Sequence, residues 1–117
     1  MRKPPIHKSF LNAFRGVLAM IKTERNFQIE ILAFLLNLFL IFYLKLTSTD
    51  AAIILMASAA VLSAEIFNTA IEKICDIIQP DFDERICFIK DIAAGAVVLI
   101  VIASIFIAVF VYWKYVF

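Results

Sequence analysis

Glycine is nearly missing from this 117-residue chain. Only Gly16 and Gly95 are present, so neither a phosphate-cradling Walker loop nor a glycine-rich kinase loop can be built. Any nucleotide chemistry here needs another architecture. Histidine and cysteine are as sparse: His7 stands alone in a basic arm and reads as a surface residue, and Cys75 and Cys87 form no zinc-ligand spacing. Both thiols read as inert. The net charge is only +1, which supplies no global basic field for nucleic acid. The charged N-terminus, broken by Pro4 and Pro5, lacks a short apolar core ending in small residues, so no cleavable signal peptide is expected.

What is abundant is apolar surface. Hydrophobic residues make up 64% of the chain and aromatics 14%, with a mean hydropathy of +0.98, too apolar for a soluble domain of this size. The chain reads as an all-α integral membrane protein that inserts through its own helices.

Along the chain, Ser9 opens a helical pattern with Phe10, Phe14, Val17, Leu18 and Ile21 on one side and Asn12, Arg15 and Lys22 largely on the other. Residues 9–25 are too short and too charged to span. They are expected to lie as a basic amphipathic helix in the bilayer interface, with an ordinary packing helix as the alternative. Phe27 to Leu46 is 20 residues, matching the roughly 20 needed to cross a bilayer core, and is the first expected span. Within it Glu30 and Asn37 are expected to face other helices as structural hydrogen-bonding groups. A tight turn at 45–50 offers Thr49 or Asp50 as a cap for the second span, expected over 51–78 and ending before Pro80. Residues 79–90 read as a polar loop whose Asp81, Asp83 and Glu84 make a solvated acidic turn. The third span is expected over 92–113, with Tyr112, Trp113 and Tyr115 as an aromatic belt at its exit.

Six Lys or Arg and one acid precede Phe27, so the N-terminus is expected in the cytoplasm and the C-terminus outside after three spans. The 79–90 loop then returns to the cytoplasm. Glu24, Glu65, Glu72, Asp76, Lys90 and Asp91 consequently gather at one membrane face.

The most informative stretch is Glu65-Ile-Phe-Asn68-Thr-Ala-Ile-Glu72-Lys-Ile-Cys-Asp76, where acids interrupt a membrane-grade helix. At roughly 100° per residue, Glu65, Asn68, Glu72 and Asp76 share one stripe, with Lys73 and Cys75 off it. If hydrocarbon begins near Ala51, Glu65 lies roughly 21 Å in and Glu72 near the far boundary. A carboxylate in hydrocarbon costs about 2.5–3.5 kcal/mol on insertion scales, so the stripe must meet protein, water or a cation. Carboxylates from several helices suit a hard cation, and Mg²⁺ held by one or two of them with phosphate oxygens completing its shell fits best. Lys90 is placed to contact phosphates, and the deeper Glu65 to accept a proton from a lipid hydroxyl. A polar lining that fixes helix register, or a small transporter with an acidic cation-binding stripe, remains the competing reading of the same residues.

The same run resembles the signature of the prokaryotic diacylglycerol kinase family, and Lys90-Asp91-Ile-Ala-Ala-Gly-Ala-Val follows at the family's distance. Arg15-Gly16 and Glu24-Arg25-Asn26-Phe27 are similar to it too, so the resemblance covers nearly the whole chain. It implies a homotrimer of three-span subunits with a surface helix, in a bacterial inner membrane, transferring the γ-phosphoryl group of ATP to a lipid alcohol. By the same resemblance Glu24 and Glu72 hold the Mg²⁺ of MgATP and Glu65 is the general base. Lys90 and Asp91 contact nucleotide, Asn68 and Asp76 shape the site, and subunits share sites. Diacylglycerol and undecaprenol are both substrates in the family, and residues 90–97 look more like the undecaprenol branch. The position where relatives often carry His is Asp83 here, which puts a nucleotide contact from that residue in question.

Overall fold

In the computed structural model, which describes residues 2–117, four helices follow one another: α1 (Ile6–Thr23), α2 (Arg25–Tyr43), α3 (Ser48–Ile78) and α4 (Glu84–Val116). No strand occurs among the described residues. By length and apolarity α2, α3 and α4 can each cross a membrane. α3 packs against both α2 and α4, whereas α1 contacts α2.

The elbow between α1 and α2 is a single extended residue, Glu24, with φ −105° and ψ 112°. Backbone bonds flank it on both sides: the Glu24 N–H donates to Met20 O at 2.9 Å and the Glu24 carbonyl accepts from Gln28 N at 3.0 Å. Gln28 Nε2 also donates to Ile21 O at 2.9 Å, satisfying a carbonyl that the end of α1 would leave open. Phe27, three residues beyond the bend, is 1% exposed, the largest fully buried side chain among the described residues. Glu24 is thereby held at the start of the first span rather than carried along a continuous helix.

α2 ends in a hydrogen-bonded C-terminal motif in which Leu46 N–H donates to Ile41 O at 3.1 Å, with Lys45 in the left-handed region at φ 54°. Thr47 then caps α3, its hydroxyl accepting from Asp50 N at 3.2 Å. The cap is therefore Thr47, and neither Thr49 nor Asp50 fills that role. Asp50 instead turns inward to α4: Tyr115 Oη donates to its Oδ2 at 2.6 Å, Lys114 Nζ lies 2.9 Å from the same oxygen, and Thr47 N–H donates to Tyr115 Oη at 3.0 Å. Beside this clasp Ile41, Ile54 and Val111 form a buried cluster joining the three spans.

α3 stops at Ile78, before Pro80, as the sequence predicts. The residues after it behave differently from the expected polar loop, because only 79–83 are non-helical and α4 begins at Glu84 rather than near Ile92. Asp83 is the reason: its Oδ1 accepts from Arg85 N at 2.8 Å, which caps the helix. α4 therefore carries Lys90 and Asp91 on rigid helix, in register with the end of α3.

Candidate active site

The acidic stripe of α3 follows a gradient of burial. Glu65 and Asn68 are 5% and 8% exposed, Glu72 is half-buried, and Asp76 is exposed. Successive helical turns thus run from the interior of the bundle to its open end. That end is shared by the α1–α2 elbow and by the first turns of α4.

The cross-helix contacts are specific. Asn68 Nδ2 donates to Glu72 Oε1 at 3.3 Å, fixing one carboxylate oxygen from the turn below. Lys90 Nζ donates to Asp76 Oδ1 at 2.6 Å, joining α4 to α3. Lys73 Nζ lies 3.6 Å from Glu24 Oε1, joining α3 to the elbow. The Glu65 carboxylate is near enough to those of Glu72 and Glu24 for their charges to interact. The side-chain acceptor Asn68 Oδ1 is buried with no partner within the chain. Leaving such a group unmet costs about 1–3 kcal/mol.

Of the residues singled out in the sequence, Glu24, Glu65, Asn68, Glu72, Asp76 and Lys90 therefore converge. Asp91 does not: it is exposed, on a face of α4 that it shares with Ile92, Gly95 and Leu99. Lys73, which the helical-wheel argument set aside, is the residue that sequence reasoning missed. Its signal was the elbow, since a lone acid at the start of a span needs a cation from a neighbouring helix end. Asp83 is engaged on both oxygens, with Arg85 Nε donating to Oδ1 at 3.1 Å and Arg85 NH2 donating to Oδ2 at 2.8 Å. These bonds hold its carboxyl well below the usual range, at about 2, and commit it to capping α4.

Chemically, the cluster offers hard oxygen donors, the ammonium groups of Lys73 and Lys90, and a buried carboxylate. Among the described residues no three His, Cys, Asp or Glu side chains converge tightly enough to hold a metal ion unaided. The donor set matches a cation that brings most of its ligands with it, as Mg²⁺ does when it arrives on phosphate oxygens.

Residues 11–112 match the family model described as prokaryotic diacylglycerol kinase. An undecaprenol kinase of Bacillus subtilis is 34% identical over 105 residues, covering 90% of this chain and 85% of that protein. A diacylglycerol kinase of Synechocystis is 31% identical over 105 residues, covering 89% of this chain and 60% of that longer protein.

Proposed function

The chain belongs to the prokaryotic diacylglycerol kinase family, and from that premise we propose that it is a lipid kinase transferring the γ-phosphoryl group of ATP to the hydroxyl of a membrane lipid at the cytoplasmic interface. The observation that carries this reading is the burial gradient: a carboxylate buried within the bundle, Glu65, beneath acids and an ammonium group at the open end. A lipid hydroxyl can reach the first and the phosphates of a nucleotide can stay with the second. The transporter reading explains neither Lys90 beside the stripe nor the family match.

Glu65 accepts the proton of the lipid hydroxyl as that oxygen attacks the γ-phosphorus and the bond to the departing ADP breaks. Glu24 and Glu72 would hold Mg²⁺, whose chemistry there would be to neutralise phosphate charge. Asn68 keeps Glu72 in place through its Nδ2. Asp76 orients Lys90 toward the same end until nucleotide phosphates compete for the ammonium group. Few groups are needed, because phosphoryl transfer asks mainly for positioning and charge stabilisation.

The outward placement of Asp91 supports sharing of sites in a homotrimer, where that carboxylate serves a neighbouring subunit's nucleotide. The basic, apolar-faced α1 lies in the cytoplasmic interface of a bacterial inner membrane, leaving Phe117 outside. Undecaprenol is favoured over diacylglycerol by the higher identity and fuller coverage of the Bacillus relative. The test is incubation of purified protein in detergent with ATP, Mg²⁺ and each lipid. Formation of the lipid phosphate together with ADP is expected, and its absence with both lipids contradicts the reading.

A further inference from the structure

The two carboxylates assigned to the metal are unequally partnered. Glu72 Oε1 accepts from Asn68 Nδ2 at 3.3 Å, and Glu72 makes no ion pair among the described residues. Glu24 has one side-chain polar partner among them, Lys73, whose Nζ lies 3.6 Å from Glu24 Oε1. Lys90, the other ammonium group at this end, is engaged with Asp76 at 2.6 Å. Because Glu24 is the single extended residue between α1 and α2, the Lys73 contact is what draws its carboxylate toward α3, the helix that carries Glu72.

We infer that Lys73 is a place-holding cation. Before nucleotide binds, its ammonium group holds the Glu24 carboxylate toward α3, and it yields that carboxylate when a divalent cation arrives on the nucleotide phosphates. This role rests on the kinase reading and on the assignment of Glu24 and Glu72 to one metal. Lys73 is then a positioning residue, acting through Glu24 on the affinity for the cation.

Charge gives the reason for such a group. The Glu65 carboxylate is close enough to those of Glu72 and Glu24 for like charges to interact, so without a positive group beside it Glu24 would be pushed away from α3. Lys73 adjoins Glu72 on α3, about 100° around the helix, and its flexible four-carbon stem carries the charge across to the elbow. The weakness of the contact lets it be exchanged. At 3.6 Å it exceeds the roughly 2.7–2.9 Å of a charge-assisted hydrogen bond, and the Lys73 side chain is 68% exposed against 28% for Glu24. An exposed pair of this kind is easily given up. A divalent cation brings twice the charge and takes carboxylate oxygen as a direct ligand, so it displaces the ammonium group into water.

The experiment uses Mn²⁺ as the metal probe, bound as its complex with a non-hydrolysable ATP analogue to the full-length protein in phospholipid nanodiscs and followed by water-proton relaxation. Lys73→Met, similar in length but uncharged, should tighten binding about two- to fivefold. Lys73→Arg keeps the charge and offers the carboxylate a planar fork, so binding should be no tighter than in the unaltered chain. With Glu24→Gln in place binding should weaken, and adding Lys73→Met should then tighten nothing, because the contact it removes is already gone. Binding that is unchanged or weaker in Lys73→Met overturns the inference, as does tighter binding in Lys73→Arg. Tightening that persists in the Glu24→Gln background overturns it too, since a general charge effect would then account for the result. A Glu24→Gln protein that binds the complex as tightly as the unaltered chain overturns the metal assignment of Glu24. Absence of lipid phosphate when the same preparation of unaltered protein receives ATP, Mg²⁺ and lipid alcohol overturns the kinase reading instead.

Discussion

Lys90 of α4 meets Asp76 of α3 at 2.6 Å from Nζ to Oδ1, tying the two longest helices together at the end that carries Glu65 and Glu72. The same two helices are tied at their other ends by Lys114, Tyr115 and Asp50. α3 is therefore in polar contact with α4 near both ends.

The Lys90–Asp76 pair is solvent-accessible on both sides, so its share of stability is small and screened. If Lys90 serves the nucleotide, Lys90→Met should raise KM for MgATP about tenfold or more while leaving the unfolding temperature nearly unchanged. Asp76→Asn should have a smaller effect on KM. Steady-state kinetics over MgATP concentration, with thermal unfolding in the same detergent, makes the check. Equal effects of both substitutions on stability, with no change in KM, would reduce the pair to a structural tie.

Glu24, at the elbow between α1 and α2, and Glu72, on α3, are assigned to one metal. Glu72→Gln and Glu24→Gln should each lower activity steeply, with partial recovery as Mg²⁺ is raised. Lys73→Ala removes only a long, exposed contact to Glu24, and turnover should stay within about threefold. Activity measured against Mg²⁺ concentration separates the three. A Glu24→Gln protein with ordinary Mg²⁺ dependence would remove Glu24 from the metal site.

At the far end, Tyr115→Phe deletes one hydroxyl that serves both Asp50 Oδ2 and Thr47 N–H. The unfolding temperature should fall by a few degrees. Both KM values should stay as they were, because this clasp lies at the opposite end of the bundle from the acidic stripe. A shift in KM for MgATP would show that the two ends of α3 are coupled.

Much of the architecture was readable in the sequence because bilayer thickness and helix rise together limit what an apolar run can do. The stop before Pro80 followed from the proline itself, and the gathering of Glu24, Glu65, Glu72 and Lys90 at one end from span lengths together with the Lys and Arg count. The start of α4 was not legible by hydropathy, since Glu84, Arg85 and Lys90 read as loop, and only the Asp83 cap turns them into helix. The Thr47 cap was missed because Asp50 is drawn away by Tyr115, a partner 65 residues along the chain. Such pairings depend on packing, and local pattern carries no trace of them. Asp91 shows the converse, because its motif placed it in the site whereas the fold of one subunit turns it outward.

Arg85 holds the Asp83 carboxyl at about 2, below the roughly 3.9 of a free aspartate. A depressed folded-state value means that the contribution of this group to stability is present above the ordinary value. It is lost as pH falls through about 2. Arg85→Ala should therefore move the Asp83 titration, followed by carboxyl carbon NMR, upward toward about 4. An unmoved midpoint would mean that Arg85 does not set it.

The central claim is that Glu65, the deepest acid of the stripe, takes the proton of the lipid hydroxyl. Glu65→Gln keeps the size of the side chain and leaves Glu24 and Glu72 in place. Turnover should fall by about 10² to 10⁴, the usual share of a general base. MgATP binding, measured separately on the same protein by calorimetry, should survive, and raised Mg²⁺ should restore nothing. Near-normal turnover in Glu65→Gln, or recovery with Mg²⁺ like that expected of Glu72→Gln, would contradict the assignment.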